Sequence, residues 1–290
     1  MWFGTGVASG WGKGCVRPRP IREWFSRFKG QARLLGPDYT RSLAHYSPAT
    51  ASRHVFFCSV DSQFVLARPA SNRSLWIHLG DENQVRLLHR TTVYRVPFNG
   101  LTIPYRVGHW IAPDLLATPL KRDRTVFIYY NTNLQRHVVR LMLYVRLALL
   151  NRSDVVLEKK MNTPLEAARR ASDSRFCLCP TGDSTGFTAR LYFSLVHGCT
   201  PVWIDGWQRN IGWDDLALPF KKSIDWRRLI VYMPNPHADV VGALRRFQPD
   251  YDYIEQVRPM LLFDAESGTA SSLAVREILE RMCRDPCGVP

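Results

Sequence analysis

An α/β fold built on a parallel sheet is predicted by three features of this 290-residue chain. From about residue 119 onward, short apolar runs alternate with amphipathic segments, the pattern of strand–helix–strand units. The runs are rich in Val, Ile, Phe and Tyr with little polar alternation, as strands covered on both faces are. Hydrophobic residues make up 46% of the sequence, enough for a substantial core in one large domain or two small ones.

Taken in order, residues 1–50 are rich in Gly, Arg and Pro with weak periodicity, and read as a poorly specified lead. Residues 51–118 form a partial α/β unit with strand candidates at 54–60, 74–79 and 93–98 and thin helix signals between them. After Pro113 and Pro119, "RTVFIYY" (124–130) reads as a buried strand. The next segment places Val138, Leu141, Met142 and Val145 at the three-and-four spacing of a helix with one apolar face. Strand "DVVLE" (154–158), helix "PLEAARRAS", strand "RFCLC", helix "TARLYFSLVH", and strands "TPVWI" (200–204) and "LIVYM" (229–233) follow. Residues 119–262 thus make one domain, and 263–290 end the chain as a helix.

Composition narrows the function. The formal charge of +14 invites a polyanion partner. Arg outnumbers Lys 32 to 7, however, and the arginines are scattered. With no recognised module and no interleaved aromatic–basic stripe, nucleic acid is not the expected partner. No run of about 18 apolar residues suggests a membrane span, and the first 20 residues lack the apolar core of a signal peptide. Membrane association is therefore expected only if an anchor lies outside this chain. Seven cysteines show no zinc pattern. Cys283 and Cys287 are spaced so that they could pair. Asp250-Tyr251-Asp252 has the form that holds a divalent cation against a diphosphate, but it opens a helix after Pro249, where capping and the dipole favour acids anyway. No metal is expected.

The stretch "CPTGDSTGFTAR" (179–190) carries the chemistry. Pro180 ends a strand, Gly182 and Gly186 relax the backbone, Thr188 is a plausible N-cap, and Gly198 fits the stop position of the helix that follows. Free amides at such a helix start favour an anion, although an ordinary capped turn looks the same. The glycines match neither the phosphate loop of nucleoside triphosphatases nor the dinucleotide fingerprint. Arg190, in the first helical turn, opposes the dipole and calls for an anionic partner unless it points into solvent.

In order, the chain also carries Phe176, Cys177, Leu178, Pro180, Gly182, Arg190, Gly198, Cys199, Pro201, Val202, Leu218, Pro219, Phe220, Asp225 and Trp226. This series resembles the signature region of the exostosin family, glycosyltransferase family 47. "RTVFIYYNTNLQRHVVRLML" and "LTIPY" are similar to its upstream elements, so that the resemblance spans about 95–262. It implies a GT-B-like glycosyltransferase with a Rossmann-like, parallel-sheet donor domain (119–262) and a short, divergent acceptor-side domain (51–118). The implied reaction moves a hexosyl or pentosyl group from a nucleotide sugar, usually a UDP-sugar, to a glycan or polysaccharide with inversion. The Golgi lumen is the implied compartment. Arg136 and Arg140 then become pyrophosphate candidates, Arg140 preferred, unless they lie on a solvated helix face. Gly182, Asp183, Ser184 and Arg190 line the donor mouth.

Three positions depart from the family pattern. Phe193 stands where an acidic residue often accepts ribose hydrogen bonds, which a phenyl ring cannot do. Asn235 replaces a frequent Glu, and Asn131 a frequent Gly, where Asn tolerates a positive φ. The segment before residue 118 is shorter than a complete acceptor domain, as expected of a divergent or incomplete member. It assigns no catalytic base, although Asp61, His78, His109 and Asp114 are chemically able. The alternative is a catalytically inactive domain that binds a glycan, a nucleotide sugar or a partner transferase.

Overall fold

The computed structural model describes residues 3–6, 55–58, 75–78, 100–104, 107, 119–134, 138–159, 163–180, 189–205, 213, 218–263 and 268–284. The chain divides into two units, Met1–Ile103 with Ala274–Pro290, and Pro104–Leu273. In the first, strands β1 (Phe3–Gly6), β2 (Val55–Cys58), β3 (Leu75–His78) and β4 (Gly100–Thr102) form a sheet in that order. β1 runs antiparallel to β2, and the other pairs are parallel. The lead expected to be unspecified therefore contributes a strand at Phe3–Gly6, held by pairing with β2 rather than by any pattern of its own. The strand expected at 93–98 lies outside the described residues.

The second unit follows the alternation read from the sequence. β5 (Val126–Asn131), α1 (Val138–Leu149), β6 (Val155–Glu158), α2 (Pro164–Asp173), β7 (Ser174–Pro180), α3 (Ala189–Val196), β8 (Thr200–Ile204) and β9 (Val231–Met233) come in turn. Then come α4 (Val240–Arg246) and α5 (Tyr251–Val257), while α6 (Ala270–Arg284) starts in this unit and from Ala274 belongs to the first. The five strands are all parallel, in the order β6-β5-β7-β8-β9. This is the doubly wound order in which the chain goes one way from β5 to β6 and the other way from β7 onward. Each of the two units carries a mainly parallel sheet, as the expected α/β, GT-B-like fold class has.

One sheet face buries Ile128, Tyr130, Phe176, Leu178, Val202, Ile204 and Met233 against Leu143 and Leu147 of α1 and Val240 and Leu244 of α4. The apolar face expected for α1 is therefore corrected. Val138, Leu141 and Val145 are exposed, Val138 at 82%, whereas Val139, Met142, Leu143 and Leu147 pack on the sheet. Both sets have helical spacing, and only the position of the sheet chooses between them. α2 starts with a capping box: the Thr163 hydroxyl accepts from the Glu166 amide, and the Glu166 carboxylate accepts from the Thr163 amide.

Much of the signature series is packing. Leu218, Phe220 and Trp226 are buried, and Trp226 Nε1 donates to the Pro219 carbonyl at 2.7 Å. Asp225 caps the short 3₁₀ turn Trp226–Arg228 by accepting from the Arg227 amide. Cys177 and Cys199 form a disulfide joining β7 to the entry of β8. Cys287 and the side chain of Cys283 lie outside the described residues.

Gly198 ends α3 at φ +73°, with the Cys199 amide donating back to the Ser194 carbonyl at 2.9 Å. Beside it lies Arg124, a buried side chain that donates to the carbonyls of Lys121 (2.9 Å), Ala171 (3.0 Å), Ser174 (2.8 Å) and His197 (3.4 Å). Burial lowers its pKa to about 10, so the guanidinium stays charged at neutral pH. His197 is also buried, with Nδ1 2.8 Å from the Phe193 carbonyl. Burial, seconded by Arg258 and Arg124, lowers its pKa to about 4 although the Phe193 carbonyl pulls the other way.

The unfolded chain therefore binds this proton more tightly than the folded one. The stability it confers is full above the ordinary histidine value of about 6.5 and is lost as pH falls toward about 4. The loss reaches roughly 3 kcal/mol. Urea midpoints followed from pH 7 to pH 4 should drop more steeply for the wild type than for His197→Gln. Parallel profiles would assign the acid sensitivity elsewhere.

Candidate functional site

The parallel order creates a crevice where the chain turns to opposite sides, between the carboxyl ends of β5 and β7, and ligands of doubly wound folds bind at this point. A cavity of about 330 Å³ sits there. Tyr129 and Asn131 come from β5, Cys177, Leu178 and Pro180 from β7, Arg140 from the first turn of α1, and Ala189, Arg190, Phe193 and Ser194 from α3. Pro164, Ala167 and Ala171 of α2 close one side. The lining is mostly apolar, with two guanidinium groups, one amide and two hydroxyls. Such a volume suits a nucleoside-sized group.

The two arginines enter from the first turns of different helices. Arg190 directs its guanidinium into the cavity region without a hydrogen bond or ion pair to another described residue, while its carbonyl accepts from the Ser194 hydroxyl at 2.8 Å. Arg140 is half-buried, and its carbonyl accepts from the Tyr130 hydroxyl at 3.2 Å, which fixes the start of α1 against β5. Both charges reach Tyr130, where they oppose the upward push of burial on its phenol. Cys179, a free cysteine beneath the cavity, has its thiol pushed up to about 11 by burial, against the pull of Arg190 and of the Ser194 hydroxyl 3.7 Å away. It is a packing thiol, not a nucleophile.

Of the site residues read from sequence, Arg140 and Arg190 meet in this cavity. Arg136, Gly182, Asp183 and Ser184 lie outside the described residues, as do Thr188, Asp61, His109 and Asp114, and of His78 only the backbone is described. Phe193 faces the cavity with its ring 4.3 Å from that of His197. Asn235 is exposed just after β9, its side-chain oxygen accepting from the His237 amide. Asn131 does not need the positive φ considered for it: the non-glycine residues in that region, among those described, are Asn151 and Phe220. Its role is in its amide, which donates to the Tyr129 hydroxyl at 3.1 Å and to Glu158 at 3.2 Å.

Glu158 was not marked by the sequence. It ends β6 opposite Asn131, accepts from the Tyr129 hydroxyl at 2.8 Å, and lies 3.5 Å from Arg170. Asp250 is engaged away from the cavity, capping α5 through the Tyr253 amide and pairing with Arg228 at 2.6 Å, while Asp252 pairs with Arg122 at 2.7 Å. Among the described residues no three His, Cys, Asp or Glu side chains gather as metal ligands, and no helix is long and apolar enough to cross a membrane.

The model of the exostosin GT47 domain matches residues 52–247, more than half of the chain. Among solved structures, the chain is similar to a calicheamicin glycosyltransferase at 13% identity and a TM-score of 0.32, over 73% of this chain and 53% of that one. The chain thus spans about half the length of that structure.

Proposed function

The chain belongs to the exostosin GT47 family of glycosyltransferases, and from that premise we propose that it moves a sugar from a UDP-sugar to a hydroxyl of a glycan, with inversion at the anomeric carbon. The observation that carries this reading is the position of Arg190 beside an apolar cavity at the β5–β7 switch point. The cavity takes the uridine, and the arginines take the diphosphate.

In the reaction the acceptor oxygen gives its proton to a base and bonds to the anomeric carbon, while the bond from that carbon to the diphosphate oxygen breaks. Negative charge on the diphosphate grows as the bond lengthens. Guanidinium groups held at that point stabilise the transition state more than the ground state. In this scheme Arg190 and Arg140 neutralise the leaving group without a divalent cation, and the remaining donor-mouth residues, Arg136, Gly182, Asp183 and Ser184, complete the phosphate contacts. The base comes from the acceptor side.

The family points to the Golgi lumen. The Cys177–Cys199 disulfide agrees with an oxidising compartment of that kind. A second reading, a silent domain that binds nucleotide sugar or a partner transferase, is favoured by Phe193, which brings a phenyl ring to the cavity. The two separate experimentally. Isothermal titration of the full chain should show UDP binding that is unaffected by a chelator, and incubation with UDP-sugars and oligosaccharide acceptors should release UDP. Binding without release supports the silent domain, and no heat with UDP or any UDP-sugar overturns both nucleotide readings.

A further inference from the structure

The apolar cavity contains one fixed acceptor whose orientation can be derived. Tyr129 and Asn131 are two residues apart on β5 and share a face, and β6 places Glu158 directly beside Asn131. A carboxylate accepts hydrogen bonds and does not donate them, so the Asn131 amide must turn its nitrogen toward Glu158, 3.2 Å away. That nitrogen also meets the Tyr129 oxygen at 3.1 Å, while the Tyr129 hydrogen goes to Glu158 at 2.8 Å. With both donors directed at the rim, the Asn131 oxygen is oriented by its neighbours.

This oxygen is the one amide or carboxylate oxygen among the described side chains that line the cavity. Arg140 and Arg190 only donate, and the Ser194 hydrogen goes to the Arg190 carbonyl. The site so built asks for a ligand that is anionic and also carries a hydrogen-bond donor. A ribose diol carries such donors. Resting on the UDP-sugar reading above, we propose that Asn131 Oδ1, held in place by Glu158 and Tyr129, accepts a hydrogen bond from a ribose hydroxyl of the donor nucleotide. Asn131 then supplies the acceptor that Phe193 lacks. Glu158 is a positioning residue that acts through the amide.

The test compares UDP with 2′,3′-dideoxyuridine diphosphate on the full chain by titration calorimetry. Asn131→Gly should lower the affinity for UDP about five- to tenfold, the scale of one neutral hydrogen bond, and leave that for the dideoxy compound unchanged. Glu158→Gln, which frees the amide to rotate, should give a smaller loss, about threefold, that also vanishes with the dideoxy compound. A variant that loses the same factor for both ligands, or that loses none, overturns this assignment alone. A wild type that fails to bind UDP overturns the parent reading, and this inference with it.

Discussion

Arg190→Ala should lower the affinity for UDP by about 10- to 100-fold, the usual scale for hydrogen bonds to a charged group, while the melting temperature stays within a few degrees of the wild type. The two halves of this expectation have separate causes. Arg190 lines the cavity and its guanidinium makes no hydrogen bond or ion pair to another described residue, so its removal takes away no such partner among them. It also sits in the first turn of α3, where a cation opposes the helix dipole, and its loss relieves that cost. A phosphate group reverses the balance by giving the forked donor a matching acceptor. Arg190→Lys should recover only part of the affinity, because an ammonium keeps the charge and loses the fork. Calorimetry with UDP and thermal melting of the same samples check both halves. Unchanged affinity in Arg190→Ala would remove the arginine from the site.

Gly198→Ala should destabilise the second unit by about 3 kcal/mol or more, and the fraction that remains folded should bind UDP as the wild type does. At φ +73° an alanine is strained by about 1–2 kcal/mol. The added Cβ would also overlap Arg124 Nη2 and a Leu120 methyl. Arg124 cannot retreat cheaply, since it is buried and bonded to four carbonyls from three parts of the chain. Displacing it leaves some of those carbonyls without a donor, at about 1–3 kcal/mol for each buried group. Urea denaturation of wild type and variant measures the difference. A change below about 1 kcal/mol would mean that the turn and Arg124 yield more readily than the packing implies.

The strands and helices of the second unit were legible because each carries a local signal. Apolar runs mark β5, β7 and β8, the segment "PLEAARRAS" marks α2, and Gly198 marks the end of α3. Of the two arginines that line the cavity, Arg190 stood out in the sequence because a cation in a first helical turn opposes the dipole, and Arg140 was marked by the resemblance to the exostosin family. The packed face of α1 was not legible. Its helix has two apolar stripes, and the sequence does not say where the sheet lies. Arg124 opens the run "RTVFIYY", and nothing local marks its role; α2, β7 and the end of α3 bring three carbonyls to it beside that of Lys121.

By itself, the order of residues determined the alternation of strand and helix, the family, and two of the cations that line the cavity, because periodicity, capping and motif spacing are properties of neighbouring positions. Only the tertiary structure decided that β5 lies between β6 and β7, and everything at the rim follows from that placement. It brings Glu158 beside Asn131 across 27 residues of chain and opens the cavity at the switch point, while the pairing of β7 with β8 joins Cys177 to Cys199. The physical reason is that strand order is set by which faces the helices can cover, a choice made by the whole core at once.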